Sequence, residues 1–339
     1  GPWSPPVSTT PPTPPTPPTP PAPRFLVSDE SASDPSAELA AGLLRRPQAA
    51  LAPKFFYDRL GSALFVAITE LDEYTLTRDE AAVLAAHGEE IAAAVHARLG
   101  PRPTLVDLGA GDCAKAAALF TRLQPARYVA VDIAVDFVRE ALAALQQRHP
   151  AIEMWGVGQD FSQRLALPAG LPAGPALVFY PGCGLGNFEP ADALRLLQQA
   201  RAAAAGGALL IGVDLVRDAP SLHAAYDDAL GVTAAFNLNL LRHANRLLGS
   251  DFDPRQWAHE ASWDAAGSRV QMWLRARQAL TVRWPGGERM FAAGERIHTE
   301  NAFKWTPEAF AALLRDAGWR TPRHWRAGAG RFAVFLASA

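Results

Sequence analysis

A doubly wound α/β domain carrying a second, smaller α+β lobe is the fold class this sequence predicts, on three observations. Short apolar runs alternate with helical stretches from residue 104 to residue 214. The first run ends in a glycine turn that opens a helix. After residue 214 the alternation gives way to a long helical stretch and then to strand-like segments. With 339 residues, 49% hydrophobic and 19% charged, the chain is long enough for one large domain and a lobe packed on it.

The elements follow in order. Residues 1–24 hold 12 of the 29 prolines in a PPT repeat with almost nothing to bury, so they predict a disordered tail of polyproline II character. Short helices are expected over 36–44 and 62–70, and a longer one over 78–99. The first buried strand is 104–108, then a helix over 114–123, a strand over 128–131, a helix over 135–148, and strands over 153–157 and 176–180. A helix over 191–205 leads to a strand over 208–214. Residues 221–248 read as helix throughout, and 268–283 and 295–299 as strands. An amphipathic helix over 305–319 starts at Thr306-Pro307-Glu308, and 331–337 reads as an edge strand. The expected division is a tail (1–24), a lobe for the substrate (25–77 plus 214–304) and a nucleotide-type domain (78–213 plus 305–339).

Charge and composition exclude several classes. The 32 basic and 34 acidic residues give a formal charge of -2, and no Lys/Arg run is long enough to track a phosphate backbone, so no nucleic-acid partner is expected. Cys113 and Cys183 are too few for a disulfide framework and lack metal-ligand spacing; no metal is expected. No run of about eighteen apolar residues and no basic segment before an apolar one occurs, which predicts a cytoplasmic protein without a membrane partner. Nothing points to an obligate protein partner.

Three loops after strands carry the candidate chemistry, because ligands of such sheets bind at the carboxyl ends of the strands. Asp107-Leu108-Gly109-Ala110-Gly111-Asp112 is one glycine short of the dinucleotide fingerprint. Gly109 and Gly111 let the backbone approach a ligand, Lys115 on the next helix suits a carboxylate, and Asp132, 21 residues after Gly111, suits a ribose. S-adenosylmethionine has a carboxylate and no pyrophosphate, so this loop favours it over a dinucleotide. Asp160-Phe161 has two readings: an adenine contact, or an Asx-type cap beside a core phenylalanine. Tyr180-Pro181-Gly182-Cys183-Gly184-Leu185-Gly186-Asn187-Phe188 has three glycines to clear space for a substrate, with Asn187 as donor and acceptor. Cys183 has no visible His–Asp partnering, which argues against a covalent nucleophile.

Lys54-Phe55-Phe56-Tyr57-Asp58, Glu73-Tyr74 with Thr77-Arg78, Ala225-Tyr226-Asp227-Asp228, the run Gly231 to Asn237 and Met272-Trp273-Leu274-Arg275-Ala276-Arg277 together resemble the ergothioneine-pathway histidine Nα-methyltransferases, over about residues 53–335. The resemblance implies a Rossmann-like methyltransferase sheet and a cofactor site of Tyr57, Gly109, Lys115, Asp132, Asp160 and Phe161. It implies that Asn187 and Tyr226 hold the carboxylate and amine of an amino acid and act as the catalytic pair. Around the imidazole it places Tyr74, Met272 and Glu300. The implied reaction is S-adenosylmethionine-dependent methylation of the α-amine of histidine, in three rounds to the betaine hercynine. One departure stands out: the family generally carries a serine two residues after the glutamate, whereas this chain has Glu300-Asn301-Ala302. Losing one hydrogen bond there costs about 0.5–1.5 kcal/mol, and Ala302 leaves open a related acceptor such as a thiohistidine or another aromatic amino acid. A non-catalytic binding module is the reading from another class, and the retained Gly109, Asp132, Asn187, Tyr226 and Glu300 argue against it.

Overall fold

The computed structural model describes residues 11–16, 21–27 and 34–339; the remaining positions of the proline repeat lie outside the described residues. Residues 11–16 and 21–23 form neither helix nor strand. Strand β1 (Arg24–Val27) comes first, then helix α1 (Pro35–Leu44), α2 (Arg59–Ile68) and α3 (Leu76–Leu99). Asp34 and Asp58 cap α1 and α2 by accepting from the backbone N–H of Ser36 and Gly61, the role short acidic side chains fill at helix starts. The alternating core follows: β2 (Thr104–Leu108), α4 (Ala114–Ala117), α5 (Phe120–Leu123), β3 (Arg127–Asp132), α6 (Val135–Arg148), β4 (Glu153–Gly158), β5 (Ala176–Tyr180), α7 (Pro190–Ala204) and β6 (Ala208–Asp214). Next come α8 (Ala219–Tyr226), α9 (Val232–Leu248), β7 (Trp257–Asp264), β8 (Arg269–Ala276), β9 (Leu280–Trp284), β10 (Gly287–Phe291) and β11 (Arg296–Phe303). The described chain closes with α10 (Pro307–Asp316), β12 (Arg320–Arg326) and β13 (Phe332–Ser338).

Eight strands form one sheet in the order β1-β4-β3-β2-β5-β6-β13-β12, all running the same way except β13, which is antiparallel to both its neighbours β6 and β12. The chain runs outward from β2 through β3 to β4, then returns to the other side of β2 as β5. Order therefore reverses beside β2, and this switch point opens a crevice at the carboxyl ends of β2 and β5. Side chains of β5 alternate between two cores: Leu177 and Phe179 face one, Val178 and Tyr180 the other. The first core runs without a break into the lobe, where it includes Tyr74, Tyr226, Met272 and Ala302. The lobe is thus packed on one face of the sheet, around the antiparallel sheet β11-β8-β7 and the hairpin β9-β10.

Several expectations change. β13 is not an edge strand; it lies between β6 and β12, and the edge is β12, whose alternation is hidden by polar residues. Residues 24–27, divided by sequence between tail and lobe, pair with β4 in the large sheet. The expected helix over 221–248 breaks between Tyr226 and Val232. There Gly231 has φ +79°, and Asp228 accepts from the N–H groups of Val232 and Thr233, starting α9 afresh. The expected helix over 114–123 is two short turns. β7 was not anticipated, and the expected strand over 268–283 divides into β8 and β9.

Candidate active site

A cavity of ≈ 300 Å³ occupies the crevice at the switch point, between the sheet and the lobe. The sheet supplies Gly109, Lys115, Phe161 and the loop after β5 through Asn187; the lobe side supplies Tyr57, Tyr74, Tyr226, Met272, Glu300 and Ala302. Residues scattered over most of the sequence thus meet in one place.

On the sheet side the charged groups are already paired within the protein. Gly109 and Gly111 adopt φ of +71° and +56°, the left-handed region where glycine is unstrained. Gly111 N–H donates to Asp132 Oδ2 at 2.9 Å, and Ala134 N–H to Asp132 Oδ1 at 2.9 Å, so Asp132 pins the glycine loop to the end of β3. Lys115 Nζ donates to Glu80 Oε1 at 3.0 Å, while Glu80 Oε2 accepts from Gly182 N–H at 2.7 Å. Buried Glu80 on α3 therefore ties the first glycine loop's helix to the loop after β5. Asp160 accepts from Lys54 Nζ at 2.7 Å and caps its own turn through Ser162 N–H at 3.1 Å. That is the Asx-type arrangement, and Phe161 packs edge-on to Tyr180 with ring centroids 5.7 Å apart. Asp132 and Asp160 are not among the residues lining the cavity.

Of the three glycines after β5, Gly182 and Gly184 line the cavity, and Gly184 and Gly186 have a second purpose. A Cβ at Gly184 would lie 2.5 Å from the Tyr180 ring, and one at Gly186 would lie 3.2 Å from the Phe303 carbonyl oxygen. They make room for the protein's own packing, and Gly182, at φ +72°, makes the turn. Burial pushes the Cys183 thiol up to about 12, so it stays protonated near neutral pH and is no nucleophile there.

On the lobe side Met272 and Glu300 are cross-strand partners on β8 and β11. The β11 register shifts between His298 and Glu300, and such an irregularity re-aims the side chains beyond it. Glu300 and Ala302, two residues apart on one strand face, both line the cavity. Asn301 points elsewhere: it bonds His298 Nε2 at 3.0 Å and donates to Glu189 Oε1 at 3.2 Å, so it does not replace the missing serine hydroxyl. Glu300 is half-buried and faces the cavity, and its desolvation by the surrounding protein raises its carboxyl from 4.5 to about 7 against the opposing pull of Lys304. Burial also holds the phenols of Tyr74 and Tyr226 well above their usual value, so both remain neutral donors. Tyr57 packs edge-on against Phe65 and Phe236, with centroids 5.9 Å and 5.8 Å away.

Tyr226 is held at both ends. Its carbonyl bonds His259 Nε2 at 2.9 Å, and Asn237 Nδ2 lies 2.8 Å from His259 Nδ1. An amide nitrogen only donates, so Nδ1 accepts and Nε2–H donates to the carbonyl. Burial keeps this imidazole below its ordinary value and hence neutral. The Tyr226 hydroxyl accepts from Lys304 Nζ at 2.7 Å. Sequence reasoning missed Glu80, Lys304, Asp214 and Phe236; a lone acidic residue on a long helix, or a lysine after a strand, carries no local signal of its partner. Among the described residues no group of three or more His, Cys, Asp or Glu is arranged to hold a metal ion.

A glycine loop at a switch point, beside a partly open cavity lined by aromatic rings and one carboxylate, is the arrangement of a group-transfer enzyme acting on a small molecule. The sequence model described as histidine-specific, S-adenosylmethionine-dependent methyltransferase matches residues 36–339. The chain is 40% identical over 321 residues to histidine N-alpha-methyltransferase of Mycolicibacterium smegmatis, covering 92% of this chain and 97% of that one. It is 38% identical over 309 residues to the protein of that name from Mycobacterium tuberculosis, covering 89% and 94%. The chain belongs to the S-adenosylmethionine-dependent, histidine-specific methyltransferase family. Ergothioneine biosynthesis protein 1 of Neurospora crassa is a further relative, 28% identical over 282 residues, which are 80% of this chain and 31% of that longer protein. A solved S-adenosylmethionine-dependent methyltransferase from Clostridium acetobutylicum covers 82% of this chain and 98% of its own, at 12% identity and TM-score 0.43. The Rossmann-like fold assignment rests on the strand order itself.

Proposed function

We propose that the protein methylates the α-amino group of free L-histidine with S-adenosylmethionine, in three rounds ending at the trimethylated betaine hercynine. The observation that carries this reading is the polar complement of the cavity: its lining combines the carboxylate of Glu300, paired across the strands with Met272, with Asn187 and the neutral phenol of Tyr226. Glu300 accepts an imidazole N–H, and a phenyl ring offers it nothing.

The residues present fit the cofactor. Gly109 and Gly111 keep the loop backbone bare, the space beside Gly111 would be open even to a Cβ, and aromatic rings of Tyr57 and Phe161 wall the cavity. Lys115, Asp132 and Asp160 would join them around the nucleoside and carboxylate. Bound there, S-adenosylmethionine supplies an electrophilic methyl on a sulfonium. Asn187 and Tyr226 orient the amine toward that methyl. The tyrosines stay protonated, so the amine must arrive neutral. Its proton otherwise leaves near or above pH 7.7–8.0, and turnover should rise at mildly alkaline pH. A third methylation ends the sequence, because a quaternary nitrogen has no lone pair.

The division of labour follows the same proposal: 25–77 with 214–304 for the substrate, 78–213 with 305–339 for the cofactor. The reading also has the protein acting in the cytoplasm on a free small molecule, without nucleic acid, membrane or obligate protein partner. The small volume of the cavity supports the small-molecule part. Ala302 favours one second reading, a related acceptor such as a thiohistidine or another aromatic amino acid. Calorimetric titration with histidine beside S-adenosylhomocysteine, followed by mass analysis of a reaction with S-adenosylmethionine, tests both. Saturable binding and a gain of three methyl groups support the first; no histidine binding with cofactor affinity intact supports the second.

A further inference from the structure

Lys304 is fully buried at the seam between lobe and sheet, and no role in the reaction has been given to it above. Its ammonium lies 2.6 Å from Asp214 Oδ2 and 2.7 Å from the Tyr226 hydroxyl. Asp214 Oδ1 accepts from Arg217 at 3.0 Å. The backbone is fixed as well: Lys304 N–H donates to Ser268 O at 2.8 Å, Ser268 Oγ donates to Lys304 O at 2.7 Å, and Trp305 N–H donates to Asp214 O at 3.2 Å. A buried lysine is retained only with partners, and a single carboxylate would suffice for that. The second contact, to a hydroxyl that lines the cavity, is what calls for a function.

We propose that Lys304 is a positioning residue for the methyl transfer: held by Asp214, it occupies the Tyr226 oxygen as an acceptor and thereby turns the phenolic hydrogen toward the carboxylate of the bound amino acid. An ammonium has donors and no lone pair, so in this contact Tyr226 can only accept, and its own hydrogen must point elsewhere. The inference rests on the assignment of Tyr226 to the substrate. Charge supports it. Arg217, Asp214 and Lys304 together carry one net positive charge near Tyr226, and above about pH 7 Glu300 carries the balancing negative charge. Cys183 and Tyr74, the other titratable groups facing Tyr226, remain protonated. The cavity therefore offers an amino acid both complements it needs, the Tyr226 hydroxyl backed by Lys304 for its carboxylate and Glu300 for its imidazole N–H.

The test is a double-mutant cycle of Tyr226→Phe and Lys304→Met, read as KM and kcat for histidine across pH, with S-adenosylhomocysteine affinity measured on every variant. Each single change should raise KM at least ~10-fold, the effect of losing a charge-assisted contact. The double variant should be no worse than Tyr226→Phe by more than a factor of about 2, because the lysine acts through the phenol. The acid limb of kcat/KM should also move to higher pH in Lys304→Met, since Glu300 loses the cation that favours its charged form. Multiplying effects in the double variant, or an unchanged KM and acid limb in Lys304→Met, overturn the proposal. An unchanged KM in Tyr226→Phe instead overturns the placing of Tyr226. If Lys304→Met does not fold, Lys304→Gln is read in the same cycle: a shifted acid limb supports the lysine's role and an unshifted one refutes it.

Discussion

The sheet side and the lobe side of the crevice handle charge in opposite ways. On the sheet side Lys115 is paired with Glu80, Asp160 with Lys54, and Asp132 with two backbone N–H groups. On the lobe side only desolvation and the charge of Lys304 act on Glu300. A loop that must keep one shape through every turnover is held by bonds internal to the protein. A carboxylate that selects a ring by accepting its N–H is instead left under-satisfied, and its desolvation cost is relieved when substrate arrives.

That contrast makes the Glu300 end the more sensitive one. The largest expected effect is from Glu300→Ala, which should weaken histidine about 10- to 150-fold, the equivalent of roughly 1.5–3 kcal/mol for a hydrogen bond to a charged group, with S-adenosylhomocysteine binding unchanged by calorimetry. Stability should move the other way. The folded-state value of Glu300 is raised to about 7, so the folded protein holds this proton more tightly than the unfolded chain. Stability from this group is therefore lost as pH rises from the ordinary carboxylate range through about 7. Denaturant titration of Glu300→Gln should show a gain of roughly 1–3 kcal/mol at pH 8 and little at pH 4; an equal gain at both would rule out charge as the cause. On the sheet side, Gly111→Ala meets no neighbouring atom but imposes a side chain at φ +56°. A loss of about 1–2 kcal/mol in stability or in cofactor affinity is expected, with Glu300-dependent selectivity retained. Smallest is Ala302→Ser, which should tighten histidine by about 0.5–1.5 kcal/mol, because Asn301 is engaged with Glu189 and His298 on the other strand face. An unchanged affinity would mean that the new hydroxyl does not reach the ring.

Much of this was legible from local pattern. The strand Thr104–Leu108 and its glycine turn announced themselves through an apolar run and two glycines, and the motifs around Tyr57, Tyr74, Tyr226 and Met272 carried enough sequence to identify a family. Other features were illegible for a shared reason. β12 presents mostly polar exposed residues, the break before α9 depends on Asp228 reaching the N–H groups of Val232 and Thr233, and Glu80 acts on residues 35 and 102 positions away. The glycines at 184 and 186 were visible, but their purpose depends on Tyr180 and Phe303 packing against them.

By itself, then, the sequence determined the fold class, the switch-point loop and the family, because periodicity, turn chemistry and motif order are properties of neighbours along the chain. Which charges cancel and which remain exposed to the cavity was decided only in three dimensions. Lys304 is 90 residues from Asp214 and 78 from Tyr226, and only the seam between lobe and sheet brings the three within hydrogen-bonding distance and away from water, where such contacts acquire their strength.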